Sequence, residues 1–179
     1  MLQGMKIKWI AICCALLSLQ GAVTAQVLVE TESFAKRGGW VLDHQAFDKI
    51  ESAYLMAHGM GRAVEDASTT VKFAEGGAYH VYVSTYNWTA PWYSGEGPGV
   101  FQLKVDNRAL SNKLGVTGSC WGWQYAGQVI LSAGEHEVRL HDLTGFNGRA
   151  DAIYFTKTKE VPATDYRVFA AERRRLSGY

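Results

Sequence analysis

Polar and apolar residues alternate with a period of two along much of the chain. From Ala78 to Tyr86, Tyr79, Val81, Val83 and Thr85 fall on one side and His80, Tyr82, Ser84 and Tyr86 on the other. That is the pattern of a strand with two distinct faces. Thr69 to Ala74 repeats it, with Val71 and Phe73 set against Thr70 and Lys72. Shorter strands are predicted at Val27 to Thr31, Trp40 to Leu42, Val100 to Val105, Val138 to His141 and Asp151 to Thr156. Trp121 to Leu131 holds one or two more, with Gly127 inside marking a bulge. Gly38-Gly39, Gly76-Gly77, Asp106-Asn107 and Ser132 to Glu135 supply turns. Residues 43–62 have no period, residues 87–98 make an aromatic Gly/Pro loop, and residues 142–149 make a Gly-rich loop. About eight to ten short strands and no internal helix predict an all-β antiparallel sandwich, a jelly roll.

The two ends differ from this middle. Lys6 and Lys8 precede an apolar run from Trp9 to Leu19, and Gly21 to Ala25 supplies small residues for cleavage before Gln26. This is a secretory signal over residues 1–25. The run falls short of the ~20 apolar residues of a spanning helix, so no membrane span is expected after cleavage. Cys13 and Cys14 lack the small residue that a lipoprotein signal places before its cysteine. The sandwich is assigned to residues 26–157, with a linker and basic helix over 158–179. That helix runs from Tyr166 to Leu176, with Asp165 as N-cap and Gly178 as stop. Its Arg167, Arg173, Arg174 and Arg175 make either a solvated face or a hinge to a further element.

Composition narrows the partners. The chain has 179 residues with 18 basic and 17 acidic side chains, so it lacks the basic excess of a nucleic-acid surface. Of three cysteines only Cys120 lies beyond the signal, and one cysteine forms no internal disulfide. A disulfide-free exported domain suits a bacterial periplasm or cell surface. Asn87-Trp88-Thr89 is a formal glycosylation sequon, without consequence in that setting.

Several segments together resemble a known fold family. Glu30-Thr31-Glu32-Ser33-Phe34 with Gly38-Gly39-Trp40 resembles the opening of galactose-binding-like sandwiches, including carbohydrate-binding modules of the family 6 and 35 type. Gly76 to Val83 resembles their central strand, Leu131 to Val138 a strand pair, and Ala150 to Phe155 the closing strand. The whole chain beyond the signal is also similar to the N-terminal sandwich of secreted bacterial FAD-dependent oxidoreductase-like proteins. In those, a basic helix ending Leu-x-Gly precedes the flavin domain, and Phe169 to Gly178 is similar to that helix. A flavin site would need a strand followed by G-x-G-x-x-G. Gly59-Met60-Gly61 lacks the third glycine and the strand before it, so no flavin site is expected.

Candidate sites follow from residue chemistry. Sugars offer C–H faces to aromatic rings and hydroxyls to polar groups. The 86–93 loop carries Tyr86, Asn87, Trp88, Trp92 and Tyr93, and the 142–149 loop carries Asp142, Phe146, Asn147 and Arg149. The expected ligand contacts are Trp88, Trp92, Tyr93, Asn147 and Arg149; the resemblance places a ligand-binding Asn in the loop before the last strand, where Asn147 stands. Alternatively, the 86–93 loop is a buried interdomain contact. Trp121 and Trp123 share a face, and at least one of them is expected to plug the sandwich core. The resemblance also implies a structural calcium on Glu30, Glu32 and Asp151. Hard carboxylate oxygens suit that ion, and strand alternation would put Glu30 and Glu32 on one face. The alternative is three ordinary surface carboxylates. No catalytic residue is assigned: H-E-x-x-H and G-x-S-x-G are missing, the histidines are scattered, and Cys120 is expected to be packed. The expected function is a non-catalytic exported module, glycan-binding or accessory to a larger enzyme. The alternatives are a docking domain of an oxidoreductase-like protein and a small jelly-roll hydrolase or lyase.

Overall fold

The computed structural model describes residues 26–161. The expected signal at 1–25 and nearly all of the expected linker and basic helix, residues 162–179, lie outside that range. The elements are β1 (Gln26–Glu30), β2 (Trp40–Asp43), α1 (Phe47–Ile50), β3 (Tyr54–His58), β4 (Ala67–Phe73), β5 (Gly77–Thr85), β6 (Phe101–Val105), β7 (Arg108–Ala109), β8 (Gly122–Leu131), β9 (Gly134–Asp142), β10 (Phe146–Ala150) and β11 (Ala152–Thr156). They form three sheets ordered β1-β11-β5-β8, β10-β3-β2 and β4-β9-β6-β7, and every pairing is antiparallel. The expected all-β antiparallel sandwich is what folds.

Alternation along β5 sets the layers. Tyr79, Val81 and Val83 are fully buried and join Ile153 and Phe155 of β11 in the main core. The facing sheets contribute Phe73, Phe101, Leu103, Val138, Leu140, Leu55 and Trp40. Aromatic edges lock this core: Phe73 meets Tyr79 at 5.2 Å and Phe155 at 5.1 Å, and Trp40 meets Phe101 at 5.5 Å. Edge-to-face packing of this kind adds to the burial itself. Gly127 does mark a bulge: the β5–β8 register slips between Val81 and Tyr82, and Gly127 has φ 142°. Asp106 and Asn107 both have positive φ, closing the tight β6–β7 turn as their side chains favour.

Four expectations are corrected. Residues 43–62 are not irregular throughout: they hold α1 and β3. The 142–149 loop contains most of β10, which pairs with β3. The first strand ends at Glu30, and Thr31–Ser33 is a single 3-10 turn. Trp121 and Trp123 do not plug the main core. Trp121 packs on a small cluster of Ala46, Ile50 and Tyr54, and Trp123 lies against Tyr154 at 5.9 Å.

One polar pair ties the β6–β7 turn to β9. The Asp106 carboxylate and His136 Nδ1 lie 2.6 Å apart, and Asp106 also accepts the Glu137 amide at 3.1 Å. The bond from Asp106 raises His136 above its ordinary 6.5, and the same bond holds Asp106 below its ordinary 3.8. The histidine's contribution is complete below 6.5 and lost as pH rises through its raised value; the carboxylate's is complete above 3.8 and lost as pH falls through its lowered value. Urea unfolding of wild type and Asp106→Asn across pH checks this. The wild-type advantage should be largest between 3.8 and 6.5 and shrink toward pH 9.

Candidate ligand-binding site

The site begins with β10. Its register against β3 skips from Phe146 to Gly148, leaving Asn147 as the extra residue, with φ 57°. Asparagine tolerates this left-handed conformation better than most residues. The Asn147 side chain is committed to His58, Oδ1 to Nδ1 at 2.7 Å, so His58 is not isolated as the sequence suggested. The Asn147 carbonyl accepts a bond from an Arg149 terminal nitrogen at 2.9 Å. The bulge thus fixes where Arg149 points.

Arg149 is the centre of an aromatic row. Its guanidinium carbon lies 5.2 Å from the Trp88 ring centre and 5.9 Å from that of Tyr86. Guanidinium over an indole or phenol face is attracted by the ring's quadrupole. Trp88 is held in place by its own Nε1–H, which donates to the Phe146 carbonyl at 2.9 Å. Trp92 meets Trp88 edge-on at 6.5 Å and is 78% exposed. On the other side Tyr86 contacts Trp121 at 4.8 Å, and Trp121 contacts Tyr54 at 5.0 Å. Tyr54, Trp121, Tyr86, Arg149, Trp88 and Trp92 therefore form one continuous chain of contacts.

A cleft of about 450 Å³ opens along this row, lined by Tyr54, Tyr86, Trp121 and Arg149 on one side and by Gln45, Asp48 and Lys49 of the α1 region on another. Ser119 and Cys120 complete the rim, and Cys120 is exposed rather than packed. The volume is within the range of small-ligand pockets, roughly 300–1,000 Å³. Burial pushes the Tyr54 phenol above its ordinary 10.0, with neighbouring Arg149 acting in the opposite sense, so the hydroxyl stays protonated. Among the described residues, buried Arg149 Nε has no hydrogen-bond partner. The cleft therefore offers ring faces, a guanidinium, an ammonium, a carboxylate and an amide. Asp48 is the carboxylate among its lining residues, and Asp43 acts on the Tyr54 phenol.

The structure brings Trp88, Trp92 and Arg149 together. Asn147 is adjacent but serves Arg149 and His58 rather than lining the cleft. Tyr93 is 60% exposed, with its ring against Gly95, and belongs to a separate shallow depression with Asn87 and Glu96. Tyr54, Gln45, Asp48 and Lys49 were missed because residues 43–62 show no period. The available signal was Tyr54 to Ala57, an apolar run short enough for a strand.

Asn87 organises the loop. It is 3% exposed; its Oδ1 accepts bonds from the Thr89 amide at 3.0 Å and hydroxyl at 2.7 Å, and its Nδ2 donates to the Gly95 carbonyl at 3.3 Å. This is an Asx turn, and it accounts for the sequon structurally.

The three proposed metal ligands sit near one another in the fold. The Thr31 amide donates to the Asp151 carbonyl at 2.9 Å, joining the ends of β1 and β11. Asp151 is fully buried and its Oδ1 accepts the Ser52 hydroxyl at 2.8 Å. Yet the 3-10 turn at Thr31 breaks the alternation that was to align Glu30 with Glu32. Among the described residues, no three or more His, Cys, Asp or Glu side chains are grouped to hold a metal ion. A carboxylate-only calcium site does not fit this arrangement.

Comparison with solved structures places the architecture. A family 35 carbohydrate binding module from Clostridium thermocellum superposes with TM-score 0.55 at 14% identity, covering 73% of this chain and 97% of that one. The chain shares the fold of carbohydrate-binding modules. A family 35 module from an environmental isolate gives TM-score 0.53 at 17% identity, covering 76% and 96%. The GH26-CBM35 β-(1,4)-mannanase of Podospora anserina gives TM-score 0.57 at 16% identity; 77% of this chain is covered, but only 29% of the mannanase. No protein-family model matches the chain, and no curated protein matches it.

Two substitutions separate loop architecture from the exposed ring. Asn87→Ala should destabilise the fold by about 1–3 kcal/mol, because it orphans bonded groups in a buried loop. Trp92→Ala should leave the urea midpoint within error of wild type, since most of its ring is in water.

Proposed function

We propose that this chain is a non-catalytic glycan-binding module whose sugar lies in the cleft beside Tyr86, Trp121 and Arg149, with Trp88 and Trp92 extending the platform. The observation that carries this reading is the unbroken contact row from Tyr54 to Trp92 with Arg149 at its middle. Sugar C–H faces would stack on the rings. Arg149, Lys49, Asp48 and Gln45 supply the charged and amide groups that hydroxyls, or the carboxylate of an acidic sugar, require. The family 35 modules that share the fold support a carbohydrate ligand. A signal at residues 1–25 would deliver the module to the periplasm or outside the cell.

The test is titration against a panel of glycans, followed by tryptophan fluorescence, because four of the protein's six tryptophans are Trp88, Trp92, Trp121 and Trp123. A saturable shift is expected for at least one glycan. Trp92→Ala and Asp48→Ala should each weaken it without lowering stability; unchanged binding in both would remove this cleft from the proposal. A flat response across the panel would favour the docking-domain reading, in which Trp92, at 78% exposure, meets a partner domain or protein such as an oxidoreductase-like enzyme.

Calcium is tested in the same titration. Glu30, Glu32 and Asp151 are not grouped as a carboxylate site, so binding curves in calcium and in chelator should coincide. A calcium-dependent shift abolished by Asp151→Asn would instead assign the ion to these residues.

A further inference from the structure

The cleft beside Arg149 and the depression beside Tyr93 share a rim. Ser119 borders both, and the depression encloses about 390 Å³. Each wall also runs on from one hollow to the other. On one side, Tyr86 of the cleft is followed directly by Asn87 of the depression. On the other, Trp121 and Cys120 of the cleft lead back through Ser119 to Thr117 of the depression. The stretch from Thr117 to Trp121 covers at most about 14 Å of chain. Backbone bonds hold the two walls together: the Asn87 amide donates to the carbonyls of Thr117 at 2.8 Å and Gly118 at 3.0 Å, and the Gly97 amide to that of Val116 at 2.9 Å. Tyr93 stands in the depression as a fixed ring. Its amide donates to the Thr89 carbonyl at 2.9 Å, and Thr89 is itself held by Asn87. The Tyr93 ring lies against Gly95, where a Cβ would come within 2.4 Å of it. Backbone and ring are both positioned, yet the side chain is 60% exposed. A ring held ready in water loses little further freedom when a ligand stacks on it.

We propose that the two hollows form one groove and that its ligand is a linear oligosaccharide, with one sugar in the cleft and a further sugar stacked on Tyr93. This inference rests on the glycan reading of the cleft and adds a second contact to it. A linear glycan repeats the same chemistry at every unit, a C–H face and a set of hydroxyls. The groove repeats the matching chemistry: Tyr86 and Trp121 with Asp48 in the cleft, Tyr93 with Glu96 in the depression. The hollows differ in charge. Arg149 and Lys49 line the cleft, whereas the depression has Glu96 and no lysine or arginine among its described lining residues. An acidic group on the ligand therefore belongs in the cleft, and the sugar on Tyr93 is a neutral one. Two contacts joined by one chain act together, because the first binding event raises the local concentration for the second. Affinity then rises with chain length until both hollows are filled, and levels off beyond that.

Fluorescence titration of the full chain with β-1,4-linked xylose, mannose and glucose oligosaccharides, from monosaccharide to hexasaccharide, tests this. In a series that binds, affinity should rise several-fold from the shortest member to the longest. Tyr93→Ala should abolish that gain and leave the monosaccharide affinity at the wild-type value. Tyr93→Phe, which keeps the ring, should retain the gain. Both variants should unfold at the wild-type urea midpoint, since Tyr93 is mostly in water. Equal affinity at every length overturns the groove and leaves the cleft reading standing. So does a length gain that survives Tyr93→Ala but is lost in Trp92→Ala, which would run the chain over the tryptophans instead. Binding in none of the three series overturns the groove as well, whatever the cleft does with the wider glycan panel.

Discussion

Three backbones press together at Gly99, and the aromatic row beside Arg149 depends on that contact. A Cβ on Gly99 would sit 2.8 Å from the Gly148 amide nitrogen and 2.9 Å from the Phe146 carbonyl oxygen. One on Gly148 would meet the Gly99 carbonyl at 2.9 Å, and Gly115 crowds the same carbonyl from its own position at φ 77°. No side chain fits at these spacings. The approach brings β10 against the chain entering β6, where Thr144 donates to the Pro98 carbonyl at 2.6 Å and the Leu143 amide to Val100 at 3.0 Å. With β10 held there, Phe146 presents its carbonyl to Trp88 and the bulge aims Arg149 between Tyr86 and Trp88. A shift at Gly99 would displace both the indole and the guanidinium.

The layers were legible in the sequence where one face of a strand is buried and the other differs chemically. Residues 78–86 are the clear case, and even the Gly127 bulge carried a signature. Strands β3 and β10 were not legible, for different reasons. In β3, Tyr54, Leu55 and Ala57 are all buried, so alternation fails, and a single turn of helix just before it breaks the pattern. In β10, two glycines and an asparagine are required by close approach and by the bulge, and these residue types signal a loop. Composition at β10 thus reported backbone constraint rather than secondary structure. Trp88, Trp92 and Arg149 were chosen for their side chains, and these do lie in contact. Asp48 and Lys49 of α1 were invisible because nothing local marks them, and the apolar run at Tyr54 signals a strand without marking a site; only the fold brings them to Trp121.

The sheet with aromatic residues on both faces raises a separate question of charge. A buried carboxylate such as Asp151 is costly unless donors or an opposite charge compensate it. Ser52 supplies one donor, its hydroxyl 2.8 Å from Asp151 Oδ1. The Thr31 amide meets the Asp151 carbonyl at 2.9 Å, and the Asp151 amide donates to the Ser84 carbonyl at 3.0 Å, so the residue is pinned to the end of β1 and to β5 at once. Arg149 stands only two residues away, on the strand whose bulge at Asn147 aims it into the aromatic row. The hydrogen bonds that allow Asp151 to be buried and the bulge that directs the guanidinium therefore belong to one short stretch of chain, and the stability of the sandwich and the geometry of the cleft are coupled there.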